Sequence, residues 1–278
     1  MKFIKNDSKI YICDIGASPC DPTDHIENLL NNTDSFLYGF EPNEEEFNKL
    51  EITDRKKFFK KAIGDGSDQH LNICRYPGWT SFLEPDKDYI KKFHNFENNS
   101  EIIKQIPMKT EKLDEINFEK KIDFFKIDVQ GFESIIIENG LNKISDALVV
   151  QLELSPVPIY KKEKNMSYVS NLMEKLNFNL NMFHKINTKA FKPMIIANKT
   201  TVGLHTIFQL DCVFVKNFEE IEKLDQDQLK KLILIMFYSF KSYDFVDYLI
   251  NKLDKISSSN FTKEYRNLIS SIKLSKKY

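Results

Sequence analysis

Apolar residues along this chain fall first into short, strand-length runs and later into a helix-face repeat. The runs cover 9–15, 36–41, 57–63, 70–75, 122–129 and 147–154, and each gives way to Gly, Pro or an acidic residue. A weaker run at 106–109 predicts a short strand. Between these runs, apolar residues recur at helical spacing over 23–31, 42–50, 86–96, 131–139 and 167–176, with Asp21 or Thr23 as a cap for the first helix. Strands at 178–184 and 208–216 follow with no helix between them, which predicts an antiparallel pair at a sheet edge. From 225 onward Leu229, Leu232, Ile233, Met236, Phe237 and Phe240 share one helical face, so two or three C-terminal helices are expected. The alternation predicts an α/β protein built on a Rossmann-like, doubly wound, mostly parallel sheet. The expected domains are a core over 1–218 and a helical C-terminal extension over 219–278 packed on it.

Composition narrows the class. With 278 residues, 41% hydrophobic and 13% aromatic, the chain has ample material for a core. Its longest apolar run, 232–240, falls well short of the ~20 residues of a membrane span. The opening Met-Lys-Phe-Ile-Lys-Asn lacks the apolar core of a signal peptide, and a cytoplasmic protein is expected. Forty basic residues against 41 acidic ones give a net charge of −1, and Arg occurs only at Arg55, Arg75 and Arg266. That balance argues against a nucleic-acid partner. The lysine-bearing tail at 273–278 reads as solvated. The four cysteines form no CxxC pair; Cys13, Cys74 and Cys212 sit in apolar runs and Cys20 in a loop. The histidines show no ligand spacing, so no metal is expected. The run at 232–240 is apolar enough to serve a homo-oligomer through the C-terminal helices.

In a doubly wound sheet the ligand sits outside the carboxyl ends of the strands. Here those ends carry acids: Asp14 just before Gly16, then Glu41, Asp65, Asp128 with Glu133 one turn on, and Glu153. A carboxylate after the second strand can accept both hydroxyls of a ribose. Gly16 lets the backbone pass close to a ligand, and Asp14 can hold an ammonium group. The turn reads Gly16-Ala-Ser-Pro-Cys-Asp, without the glycines of GxGxxG, and Asp21 and Asp24 would repel a pyrophosphate at the helix start. These features favour a phosphate-free nucleoside with a positive end, such as S-adenosylmethionine, over the dinucleotide of a nicotinamide dehydrogenase. No GxSxG elbow points to a hydrolase.

Several residues suggest the chemistry beside that ligand. Asp128 is a candidate base or ligand for an amino group, and a helix cap in the plainer alternative. An acid such as Glu153, inside an apolar run, needs a partner or a cleft. Lys126 reads as alternating away from Asp128, either as that partner or as an outer-face lysine. The loop Arg75-Tyr-Pro-Gly-Trp79-Thr-Ser81 suits sugar stacking and hydroxyl binding; the alternative for Trp79 is a core anchor. His205, ahead of the last strand, is a further candidate base, whereas His94 and His184 lie among phenylalanines.

Seven stretches occur in a telling order: Cys13-Asp-Ile-Gly-Ala-Ser, Gly39-Phe-Glu-Pro-Asn, Lys61-Ala-Ile-Gly-Asp, Thr80-Ser-Phe-Leu, Lys112-Leu-Asp-Glu-Ile, Phe125-Lys-Ile-Asp-Val-Gln-Gly-Phe-Glu and Gln151-Leu-Glu-Leu. Together, from Lys9 to about Lys216, they resemble the FkbM family of S-adenosylmethionine-dependent methyltransferases. The phrase Lys-Ile-Asp-Val-Gln-Gly-Phe-Glu is the specific part. The resemblance implies a class I methyltransferase core with S-adenosylmethionine as cofactor. It implies methyl transfer most often to an oxygen of a sugar, glycolipid or secondary metabolite. Carried over by motif, Asp14, Gly16, Ala17, Ser18, Ser81 and Asp128 belong to the methionine end. Glu41 with Pro42 belongs to the ribose, and Ala62, Ile63 and Asp65 to the adenine. Catalysis is expected from Asp128, Glu153 or His205, and acceptor binding from Arg75, Trp79, Glu133 and Glu153. The stretch 224–249 resembles an extension carried by one bacterial subgroup. The expected activity is O-methylation of a saccharide, glycoconjugate or secondary metabolite. The alternatives are N-methylation of an amide or other small metabolite, and a degenerate binding subunit without activity.

Overall fold

The computed structural model describes residues 1, 3–21 and 23–270; the tail expected at 273–278 lies outside them. Its strands are β1 (Ile10–Ile15), β2 (Ser35–Phe40), β3 (Lys56–Phe59), β4 (Ala62–Gly64), β5 (Asp68–Cys74), β6 (Ile102–Lys112), β7 (Phe124–Ile127), β8 (Val149–Leu154), β9 (Phe178–Thr188) and β10 (Ile207–Lys216). Its helices are α1 (Asp24–Asn32), α2 (Glu44–Phe47), α3 (Lys87–Ile90), α4 (Phe96–Asn99), α5 (Glu133–Glu138), α6 (Leu141–Asp146), α7 (Met166–Lys175), α8 (Phe218–Lys223), α9 (Gln226–Tyr238), α10 (Tyr243–Ser257) and α11 (Phe261–Ser270).

The main sheet has seven strands in the order β3-β2-β1-β7-β8-β10-β9. β1 pairs parallel with β7, β7 with β8, and β2 with β3; β10 runs antiparallel to β8 and to β9. The fold is therefore a doubly wound α/β sheet with an antiparallel edge. Strands buried on both faces need continuous apolar runs, and Ile12, Cys13, Phe124, Phe125, Val149 and Val150 are fully buried. Chain order reverses between β1 and β7, which puts the switch point at their carboxyl ends.

Three expected elements are reshaped. The single strand at 57–63 is two strands: β3 joins the main sheet, and β4 joins a second sheet of order β4-β6-β5. The break falls at Lys60 and Lys61, both exposed and paired with Glu44 and Glu111. The short strand at 106–109 is the long β6, whose polar composition hid it from an apolar count. The helix at 86–96 is two single turns, α3 and α4, separated by Asn95 in the left-handed region at φ 66°.

The chain divides into two compact units. One holds the described residues of Met1–Ile10, Thr23–Phe36 and Phe218–Tyr278, and the other those of Tyr11–Pro22 and Leu37–Asn217. In the first, α1 buries Ile26, Leu29 and Leu30, and α9 buries Leu232 to Met236. α9 starts on a capping box between Asp225 and Gln228. Asp227 Oδ1 accepts from the backbone of Asp7 (3.0 Å) and Ser8 (3.1 Å). The apolar run at 232–240, a candidate interface between copies, is largely buried within the chain itself. No helix among the described residues is long and apolar enough to cross a membrane.

Candidate active site

The second unit carries a cavity of about 520 Å³ at the carboxyl ends of β1, β2, β7 and β8. Gly16 forms its floor at φ +87°, where a Cβ would lie 1.8 Å from the carbonyl oxygen of Asp128. Only glycine fits there. The N–H groups of Gly16 and Ala17 both donate to the Phe40 carbonyl (2.9 and 3.1 Å), and the N–H of Asp128 donates to Ile15 (3.0 Å). The three strand ends are thus laced into one wall. Glu41 directly follows β2 and is buried, and its Oε1 accepts the N–H of Asn43 at 2.7 Å. Burial pushes its carboxyl up to about 7, and Glu46 and Asp14 add to that.

Lys126 organises the polar end. It is buried, with Nζ 3.2 Å from Asp21, 3.4 Å from Asp128 and 3.5 Å from Asp14. Residues two apart on a strand face the same side, so Lys126 does not alternate away from Asp128, and it is not the partner of Glu153. Burial disfavours its charge, but the three acids outweigh burial and hold the ammonium well above the ordinary lysine range. Asp14 Oδ1 is buried without a hydrogen bond. Burial raises its carboxyl, against the pull of Lys126. Asp14 Oδ1 is the oxygen that faces Lys126 Nζ at 3.5 Å, behind the cavity floor.

Gln130 links the acids. Its Nε2 donates to Asp128 Oδ1 at 2.9 Å and to Glu153 Oε2 at 2.6 Å, and its Oε1 accepts from the Tyr160 hydroxyl at 3.1 Å. Gln209 donates to the same Glu153 oxygen at 2.7 Å. Burial raises the Glu153 carboxyl well above the usual range, with Asp128 and Asp211 adding repulsion. Gln130 and Gly131 both take positive φ, 57° and 91°. Glu133 pins this turn, accepting from the N–H groups of Val129 (3.0 Å) and Gly131 (3.2 Å).

Gly16, Ser18, Glu41, Pro42, Trp79, Ser81, Asp128 and Glu153 line the cavity. Ser81 Oγ donates to the Gln130 carbonyl at 2.7 Å. Trp79 is a core anchor that also borders the cavity. It faces the cavity, yet it is buried against Phe96, Tyr160 and Phe208. The other expected site residues are not on the wall. Asp14 and Ala17 lie behind the floor, and Ala62 and Ile63 are buried in β4. Asp65 is tied to Ser67 and Thr110. Arg75 is turned to Glu101 in an exposed ion pair. Glu133 is sealed under the turn it pins, and His205 is exposed in the loop before β10. Gln130, Gln209, Lys185 and Lys189 also line the wall, and of these Gln130 and the two lysines have no distinguishing spacing. The one available signal was Gln209 and Asp211, polar at alternate positions of the otherwise apolar β10.

The model of the methyltransferase FkbM domain matches residues 14–180. Among solved structures, magnesium protoporphyrin IX methyltransferase from Synechocystis PCC 6803 with bound SAM is similar at 10% identity, over 75% of this chain and 71% of that one, with TM-score 0.35. A putative methyltransferase from Thermoplasma acidophilum is similar at 8% identity, over 77% and 70%, with TM-score 0.38. An uncharacterized protein from Listeria monocytogenes serotype 4b is similar at 14% identity, over 94% and 90%, with TM-score 0.37. No curated protein sequence matches the chain.

Proposed function

Because this chain belongs to the FkbM methyltransferase family, we propose that its acceptor atom is the oxygen of a hydroxyl on a saccharide, glycoconjugate or secondary metabolite. The enzyme is S-adenosylmethionine-dependent, and the cavity residues fit that cofactor. Gly16 leaves room for it, Glu41 is set for ribose hydroxyls, and the acids around Lys126 suit its positive end. When bound, the cofactor supplies a methyl group activated by a sulfonium. The protein's tasks are then to align the acceptor and to take its proton. Positioning alone is worth up to ~7–11 kcal/mol.

The observation that carries the oxygen reading is the Asp128–Gln130–Glu153–Gln209 chain on the cavity wall. A hydroxyl must lose a proton as it attacks. Glu153 lies on the cavity wall beside Asp128, and in its ionised form it takes that proton. The Gln130 and Gln209 amides hold the carboxyl in one orientation. Trp79 and Tyr76 lie on the same wall, and aromatic side chains there suit a sugar. A homo-oligomer through the C-terminal helices would use Phe218, Tyr248 and Ile256, which stay exposed.

Calorimetric titration with S-adenosylhomocysteine tests the cofactor site. Micromolar binding that Glu41→Ala abolishes is expected, and a folded protein that binds none overturns the assignment of these residues. With an acceptor in hand, Asp128→Asn and Glu153→Gln should each lower turnover by about 10²-fold or more. Unchanged turnover in Glu153→Gln removes it as the base.

A further inference from the structure

Charge is segregated around the cavity. The acids on its wall are Asp21, Glu41, Glu46, Asp128 and Glu153. Among the described residues its wall carries two cations, Lys185 and Lys189. These two flank Asn187 at alternate positions along and just past β9, so all three share one face. Lys185 Nζ lies 3.8 Å from Asp21. Lys189 is half-buried; its Nζ reaches the Thr201 carbonyl at 3.3 Å and sits 5.7 Å from the Phe96 ring centre. Among the described residues no carboxylate pairs with it. Burial, and then the neighbouring Lys185, hold its ammonium below the ordinary lysine range. Lys185 has the Asp21 carboxylate, whereas Lys189 has a carbonyl and a ring face but no counter-charge among the described residues, and an anion is the partner its half-buried ammonium lacks. The sulfonium of the cofactor gains nothing from either lysine.

We propose that the acceptor carries an anionic group, a carboxylate, phosphate or sulfate, which Lys189 binds with Lys185 and Asn187 beside it, while the acceptor's hydroxyl faces Glu153. This rests on the hydroxyl-acceptor reading above and names the class of molecule that brings the hydroxyl. The rival occupant for Lys189 is the cofactor's own carboxylate.

Protein saturated with S-adenosylhomocysteine is titrated with four probes: glucose, glucuronate, glucose 6-phosphate and 4-hydroxybenzoate. Binding is read by saturation-transfer NMR. At least one of the three anions should bind about tenfold or more tightly than glucose. Lys189→Met should erase that preference and Lys189→Arg should keep it, with affinity for S-adenosylhomocysteine unchanged in both. Which anion wins separates carboxylate from phosphate. Equal binding of glucose and the anions overturns the proposal and leaves the saccharide reading standing. Lys189-dependent binding of 4-hydroxybenzoate with no sugar bound upholds the anion site and sinks the saccharide reading. Anion binding that persists in Lys189→Met, the absence of any anion binding, or weakened S-adenosylhomocysteine binding in Lys189→Met overturns it.

Discussion

Glu133 shows how a buried carboxyl serves a site it does not touch. Its oxygen holds the backbone turn that carries Gln130, and burial pushes its carboxyl up to about 8. An unfolded glutamate titrates near ~4.3. The folded state therefore holds the proton over a range where the unfolded chain has lost it. The stability this gives is complete below about 4.3 and is lost as pH rises through about 8. The apo protein's melting temperature should fall from pH 6 to pH 9, and Glu133→Gln should flatten that fall. Glu41 and Glu153, also raised by burial, add to the fall, and an unchanged slope in Glu133→Gln would remove Glu133 from its sources. Which residues were legible follows from the same physics. Acids ending apolar strands stand out, because burial makes an acid costly without a purpose. An amide such as Gln130 carries no such cost and no spacing of its own. Lys126 was misplaced because the period of the pleat was read one residue out of phase.

At the scale of the element, the 75–81 loop does two jobs with one side chain. The 3-10 turn Pro77–Trp79 sets the Trp79 indole among Phe96, Tyr160 and Phe208 while leaving it on the cavity wall. Removing so large a buried ring costs ~3–5 kcal/mol. Trp79→Ala should therefore lower the melting temperature as well as raise the acceptor KM. Trp79→Phe, which keeps more of the packing, isolates the effect on KM. A Trp79→Ala protein that melts like the parent would show the ring does not anchor this cluster. The central strands β1, β7 and β8 were readable from their runs because both faces are buried. β6 was not, because one alternating, polar-rich strand gives only a weak period.

At the scale of the molecule, the C-terminal helices do not form a unit by themselves. They share one with α1 and the first ten residues, joined by α9 packing near α1 and by Asp227 holding the backbone of Asp7 and Ser8. Truncation at Glu220 should therefore uncover Ile26, Leu29 and Leu30 of α1 and yield an unstable or aggregated chain. A truncated chain that keeps its melting temperature and changes only its size by light scattering would make the extension an oligomerisation device. A single cut point could not be read from the sequence, because the segments that complete this unit lie at the opposite end of the chain. The crowd of acids around Lys126 has a consequence for the enzyme's lifetime. A cationic ligand that binds the folded state and not the unfolded one stabilises by RT ln(1 + [L]/Kd). Proteases that cut the transiently opened chain act in proportion to the open population. Methyl donor bound at the proposed site should therefore slow proteolysis of this protein as well as feed its reaction, and a digestion rate that S-adenosylmethionine leaves unchanged would argue against the acids around Lys126 as its site.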